Sequence, residues 1–153
     1  MIVKYKDLVK YHKKVTLVDG CFDPLHPGHI LYFSEASKLG YPLLCCVEND
    51  ANIRLNKKRP PVLTQNERVQ VIDAIRFISF TVCSKSETAD ILVRLQPVIY
   101  AKGADWRKKG LPDEEKAICE KFGIKIVYLD TVLNSSARIV KRFIKKIQGY
   151  KKI

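Results

Sequence analysis

The sequence predicts an α/β protein of three layers, α/β/α, with a mainly parallel five-stranded sheet. Two observations predict it. Short apolar runs alternate with amphipathic stretches of roughly ten residues, the pattern of βαβ units. Glycine and proline fall at the junctions between them, as at Gly40, Pro112 and Gly123. At 153 residues the chain is read as one domain over residues 1–153, long enough to bury a core.

Taken in order, residues 1–12 carry a weak helical pattern (Ile2, Val3, Leu8, Val9) with no assigned role. The first strand falls at about 14–19, on the run Val15–Val18. A helix at about 28–39 follows and stops at Gly40. The second strand spans about 42–48, where Cys45 and Cys46 read as core. Glu48 to Pro61 is polar and ends in Arg59-Pro60-Pro61, so it reads as a loop. Thr64-Gln65-Asn66-Glu67 matches a capping box and opens a helix to about 75. A third strand at 77–83, a helix at 87–95 and a fourth strand at 97–101 come next. Residues 102–106 then read as a glycine-containing turn. Pro112 opens a helix with Asp113, Glu114 and Glu115 in its first turn, where acids suit the dipole, and Gly123 closes it. The fifth strand is 125–129, and a final helix runs from Ser135-Ser136 to about Gln148.

Composition narrows the function classes. Apolar content of 46% and charged content of 29% suit a globular chain, and no run is long enough to span a membrane. No signal-peptide pattern is visible, so a cytoplasmic location is expected. The five cysteines are odd in number and irregularly spaced, without CxxC, so neither disulfides nor structural zinc is expected. The formal net charge of +12 has polyanions, phosphorylated metabolites and simple solubility as candidate explanations. It is concentrated at both ends, but no nucleic-acid motif accompanies it, so nucleic acid is not the expected partner.

The chemistry concentrates in Gly20-Cys21-Phe22-Asp23-Pro24-Leu25-His26-Pro27-Gly28-His29, where a strand hands over to a helix. Ligands of open α/β sheets bind outside the carboxyl ends of strands, and helix starts offer unpaired N–H groups to anions. Gly20 and Gly28 suit tight turns and close approach by a ligand. His26 and His29 carry donors able to stabilise charge that builds in phosphoryl or nucleotidyl transfer. Asp23 is a candidate to orient a histidine or hold a divalent ion, with turn-making as the alternative.

This ten-residue segment closely resembles the signature of the cytidylyltransferase-like nucleotidyltransferase superfamily, whose core is HxGH. The resemblance runs from about Val15 to Lys146. It implies a Rossmann-like sheet and an enzyme that joins a nucleoside triphosphate to a phosphorylated acceptor and releases pyrophosphate. It implies Mg2+ (or another divalent cation) held mainly by the phosphates, and a homodimer as a family-level expectation.

Residue by residue, the resemblance makes His26, His29 and Lys57 catalytic. Gly20, Cys21, Phe22, Asp23, Gly28, Arg68, Ser135, Ser136 and Arg138 become nucleotide-binding candidates. Ser135 and Ser136 match the family's second motif, with Ala137 where Thr is usual and Val140 where Arg often stands. Arg68 is a candidate to brace the active-site loop, with a surface role as the alternative. Tyr100-Ala101-Lys102-Gly103-Ala104-Asp105-Trp106 resembles V-K-G-x-D-(Y/W) of the heptose-phosphate and glycerol-phosphate enzymes. Lys102, Gly103, Asp105 and Trp106 would then meet the acceptor or the nucleotide, with Trp106 stacking on a base or sugar ring.

The loop from Asn49 to Pro60 resembles the heptose-phosphate adenylyltransferase branch. The favoured reading is therefore ATP plus a sugar phosphate such as D-glycero-D-manno-heptose 1-phosphate. Trp106 pulls toward a CTP-dependent glycerol-3-phosphate or other polyol-phosphate enzyme. An FMN adenylyltransferase and a non-catalytic nucleotide-binding or sensor protein remain as alternatives.

Overall fold

The computed structural model describes residues 1–131 and 136–150, Tyr150 by its backbone only. Five parallel strands form one sheet: β1 Thr16–Gly20, β2 Leu43–Val47, β3 Phe80–Cys83, β4 Ile99–Gly103 and β5 Lys125–Leu129. Their order is β3-β2-β1-β4-β5, so the chain winds outward from β1 first one way and then the other. That reversal leaves a crevice between β1 and β4 at the carboxyl ends of the strands, as the α/β topology requires. The predicted three-layer, Rossmann-like architecture is the one observed.

Successive strand residues face opposite sides of a sheet, and here both sides are apolar. Leu17, Leu44, Cys46, Val82 and Tyr100 pack on one face; Val18, Cys45, Val47 and Ala101 pack on the other. The first face is covered by α4 (Thr88–Leu95) through Ile91, Leu92 and Leu95, and by α6 (Asp113–Phe122) through Cys119. The second is covered by α1 (Pro27–Ser37) through Tyr32, Phe33 and Ala36, and by α3 (Gln65–Asp73) through Val69 and Ile72. Cys45 and Cys46 are buried free thiols, as core residues should be.

The N-terminal segment is a 3-10 turn over Tyr5–Tyr11 that buries Leu8. Ahead of it, Val3 N–H donates to Thr81 O (2.8 Å) and Thr81 N–H to Met1 O (3.0 Å), which extends the sheet beside β3. The Thr64–Glu67 capping box forms as expected.

Three boundaries differ from the sequence reading. The expected loop at 48–61 contains a helix, α2 (Asp50–Lys57), capped by Asn49 Oδ1, which accepts from Asn52 N–H (2.9 Å). Only Ile53 of its eight residues is buried, so no apolar period marks it. β4 runs on to Gly103, and the expected turn then becomes a short helix, α5 (Asp105–Lys109). β3 starts at Phe80, because Ile78 N–H bonds back to Ile75 O and prolongs the turn after α3. The last helix, α7, spans Ser136–Tyr150; Ser135 lies outside the described residues. Among the described residues no helix is long and apolar enough to cross a membrane.

Leu17 sits in the middle of the central strand with no exposure. Leu17→Ala is expected to lower the unfolding free energy by about 2–5 kcal/mol, mainly through the cavity left behind. Urea unfolding followed by circular dichroism checks this; a loss below ~1 kcal/mol contradicts the placement of the core.

Candidate active site

A cavity of about 700 Å3 opens at the carboxyl ends of β1 and β4, a size typical of small-molecule sites. Its wall brings together most of the predicted residues: Gly20, Cys21, Phe22, Asp23, His26, His29, Lys57, Lys102, Gly103, Asp105, Trp106 and Ser136. Among the described residues Gly28, Arg68 and Arg138 are not part of that wall, and Ser135 lies outside the described residues.

The two imidazoles form the first turn of α1. His26 is the N-cap, and its Nδ1 accepts from Gly28 N–H (3.1 Å). His29 Nδ1 accepts from His26 N–H (3.3 Å). The rings stack with centroids 3.7 Å apart. An Nδ1 that accepts a backbone N–H carries no proton, so the neutral ring holds its proton on Nε2. Burial lowers the His26 pKa, and burial plus the neighbouring His26 ring lowers that of His29 to about 4. At neutral pH the pair is thus two uncharged N–H donors on a shared wall, held rigid by the helix start.

Gly20 has a local reason for lacking a Cβ. One built there would lie 3.0 Å from the Phe22 ring, which folds back under the motif with φ 50°. The close approach expected for a ligand is made by this ring. Cys21 donates to Glu48 (2.5 Å), and burial, reinforced by that hydrogen bond, pushes its thiol up to about 12. It stays a thiol and offers no nucleophile.

Asp23 differs from expectation. Its carboxylate is fully enclosed and turned toward the 59–63 segment, accepting from Arg59 (2.7 Å), Val62 N–H (2.9 Å) and Leu63 N–H (3.0 Å). Burial alone would push the carboxyl up, but these N–H groups and Arg59 outweigh it and hold the pKa below the ordinary range. With those oxygens engaged, Asp23 clamps a loop; it is not placed to orient a histidine or hold a metal.

Arg68 differs too. It is neither at the surface nor in the cavity wall, for its guanidinium is fully buried. Nε donates to Leu63 O (3.0 Å), Nη1 to Cys21 O (2.9 Å) and Glu48 O (2.6 Å), and Nη2 to Asp50 (2.6 Å). It braces the motif loop, as one of the two sequence readings had it, and does so from behind.

On the β4 side Lys102 is buried, and its Nζ donates to Asp19 (2.8 Å) and Tyr100 Oη (3.0 Å). The same Nζ lies 4.4 Å from the Trp106 ring centroid, within cation–π range. Lys57 ends α2 on the opposite side of β1, exposed at the cavity mouth. Ser136 Oγ donates to Pro24 O (3.0 Å), tying the start of α7 to the motif loop, while Ala137 and Val140 add apolar wall. Sequence reasoning passed over Asp19, Thr131 and Lys141, all in the wall. For Asp19 the available signal was an acid closing an apolar strand directly before the motif. Among the described residues no group of three or more His, Cys, Asp or Glu side chains is arranged to hold a metal.

Comparison with known proteins bears on the family. A family model described as cytidylyltransferase-like matches residues 17–148. The bifunctional protein HldE of Desulfatibacillum aliphaticivorans is 32% identical over 139 residues, which cover 89% of this chain and 28% of that protein. HldE of Magnetococcus marinus is 32% identical over 108 residues, 67% of this chain and 22% of that protein. The chain thus matches only a minor part of these relatives. Among solved structures, a lipopolysaccharide core biosynthesis protein from Thermoplasma volcanium superposes with a TM-score of 0.67 at 27% identity, over 78% of this chain and 98% of that one. Pantoate-beta-alanine ligase from Francisella tularensis, solved with beta-gamma ATP and beta-alanine, shares the fold at a TM-score of 0.59 and 14% identity, over 89% and 71% of the two chains. The chain belongs to the cytidylyltransferase-like family of nucleotidyltransferases.

Proposed function

We propose that this chain transfers a nucleotidyl group from an NTP, ATP in preference to CTP, to a sugar phosphate such as D-glycero-D-manno-heptose 1-phosphate, and releases pyrophosphate. The observation that carries the reading is the stacked, neutral His26–His29 pair at the start of α1, lining the cavity with Lys57 and Lys102. The HldE matches favour the sugar-phosphate branch.

An ionised phosphate oxygen of the acceptor attacks the α-phosphorus, a new P–O bond forms, and the bond to the pyrophosphate oxygen breaks with its electron pair. No protein nucleophile is needed. The Nε2–H groups of His26 and His29 donate to phosphate oxygens as charge builds on them, and the N-terminal dipole of α1 acts in the same direction. Lys57 offsets the triphosphate charge from the mouth, and Ser136, at the first turn of α7, lines the same cavity. Magnesium carried with the NTP would offset phosphate charge. The enclosed Asp23 carboxylate does not fit as its ligand, since Arg59 and two backbone N–H groups occupy it. Trp106, half-buried in the wall, keeps a CTP-dependent polyol-phosphate reaction as the second reading. Homodimer formation and a cytoplasmic location belong to the same proposal.

Pyrophosphate release, measured with ATP or CTP against heptose 1-phosphate, glycerol 3-phosphate and FMN, tests the reading. Release with ATP and heptose 1-phosphate is expected. No release with any pair, together with no NTP binding, contradicts it. His29→Ala is expected to lower kcat by about 10^2- to 10^3-fold, the scale for one lost donor to a developing charge, with the circular dichroism spectrum unchanged. An undiminished kcat removes His29 from the mechanism.

The depressed His29 pKa has a definite sign. The folded ring titrates near 4 and the unfolded ring near about 6.5. The unfolded chain therefore takes the proton first. The ring's contribution to stability is complete above pH ~6.5 and is lost as pH falls toward the folded value. An NMR titration of His29 should show a midpoint near 4, and His29→Asn should flatten the decline in unfolding free energy over that window. A midpoint near ~6.5 contradicts the buried, neutral pair.

A further inference from the structure

The last helix carries a surface that the transfer chemistry does not use. α7 (Ser136–Tyr150) begins in the cavity wall, where Ser136, Ala137, Val140 and Lys141 stand. Ile139 and Val140 are half-buried, and residues 141–149 are all exposed. At about 3.6 residues per turn, Ile139, Val140, Phe143, Ile144 and Ile147 share an arc of about 140°. Arg138, Lys141, Arg142, Lys145 and Lys146 share the opposite arc, also of about 140°. Beyond the first turn the apolar arc is bare: Phe143 is 62% exposed, Ile144 49% and Ile147 40%.

Exposed apolar residues are ordinary when scattered. Elsewhere they are scattered: Leu31, Leu55, Val71 and Val93 each stand alone on α1, α2, α3 and α4. Among the described helices α7 alone gathers three such residues on one face. A contiguous bare stripe marks a contact surface, and the charge beside it says of which kind. No Asp or Glu occurs between residues 131 and 153, and Lys151 and Lys152 add to the cations. Two copies of α7 laid stripe to stripe would press cations together with no acid to compensate. A nucleic acid would engage the cations and leave the stripe in water. A bilayer with anionic headgroups meets both arcs at once: the acyl boundary takes the stripe, and the headgroups take lysine and arginine. Fifteen residues are too few to cross the bilayer, so such a helix lies along its surface.

We propose that α7 docks the protein on an anionic lipid surface, with Phe143, Ile144 and Ile147 sunk into the headgroup–acyl boundary and Arg142, Lys145 and Lys146 on the headgroup phosphates. Free phosphate would satisfy the cations and leave the stripe exposed, so lipid is the partner that fits. α7 starts at the cavity wall, and Ser136 Oγ ties it to Pro24 O (3.0 Å), so the docking helix is joined directly to the candidate site. The proposal does not depend on which substrates the cavity takes.

Vesicle flotation of the full chain tests it. Vesicles of phosphatidylcholine with about one-third phosphatidylglycerol should bind about tenfold more tightly than phosphatidylcholine alone, and the difference should shrink as salt rises. Phe143→Ser with Ile147→Ser, which leaves the charge unchanged, should weaken binding to the anionic vesicles about tenfold. Arg142→Glu with Lys145→Glu should abolish the preference for them. All four positions are exposed and outside the cavity wall, so both variants should keep the wild-type unfolding midpoint. Equal binding to the two kinds of vesicle, or binding to neither, overturns the proposal. So does anionic binding that the Phe143 and Ile147 substitutions leave unmoved, which makes the contact one of charge alone. Sedimentation without vesicles decides the remaining case. A wild-type dimer that the same two substitutions dissociate assigns the stripe to a second copy and overturns the lipid assignment.

Discussion

The site depends on one buried cation. Arg68 reaches from α3 to the carbonyls of Cys21, Glu48 and Leu63 and to the Asp50 carboxylate. These belong to the motif loop, the end of β2, the start of α2 and the segment before α3. A solvent-excluded guanidinium costs several kcal/mol in lost hydration, and only a nearly complete set of acceptors offsets it. Burial is tolerated, then, only when all four segments are in place together. The same condition fixes the direction in which α2 leaves the sheet, and so where Lys57 stands. Arg59 and Asp23 lock the other end of that connection against the motif loop. The wall of the candidate site is in this sense the front of a polar scaffold whose interior is Arg68.

How much of this was legible in the sequence follows from the kind of signal each part carries. The sheet was legible because both its faces are buried, so β2 and β4 read as continuous apolar runs bounded by glycine and proline. α3 was legible through its capping box. α2 was not, because one buried isoleucine leaves no period, and its cap, Asn49, looks like any loop asparagine. The continuation of β4 through Lys102 and Gly103 was hidden because a buried lysine in a strand is expected only where an acid pairs with it. That acid, Asp19, is 83 residues away.

The site shows the same division. His26 and His29 were legible because local spacing creates their geometry: N-cap and third helical position are three residues apart, and each ring bonds the other's neighbourhood. Asp23 was misplaced, and Arg68 fitted only one of its two readings, for the opposite reason. Both act across the fold, on carbonyls and N–H groups that carry no side-chain signature, and a composition-based reading assigns such charges to ligand or solvent by default. Asp19 and Thr131 went unmarked because their partners come from other strands and helices, or from none among the described residues.

The net charge of +12 invites a picture of a uniformly cationic pocket, and the geometry argues against it. Arg59 is committed to Asp23, Arg68 to Asp50 and Lys102 to Asp19. The histidines are uncharged near neutral pH. Two cationic rings at 3.7 Å would repel each other and would also turn protonated Nδ1 atoms against the backbone N–H groups that they now accept from. Uncharged donors avoid both penalties. They gain strength only as a phosphate oxygen accumulates charge, which is the condition for stabilising a transition state more than a ground state. The excess of lysine and arginine elsewhere draws anions toward the protein, while the site itself discriminates by orientation. On the proposed reading, a strand–helix junction becomes a nucleotidyl-transfer site through the rigid placement of neutral donors at the end of a helix dipole, with charge kept one shell behind or at the mouth.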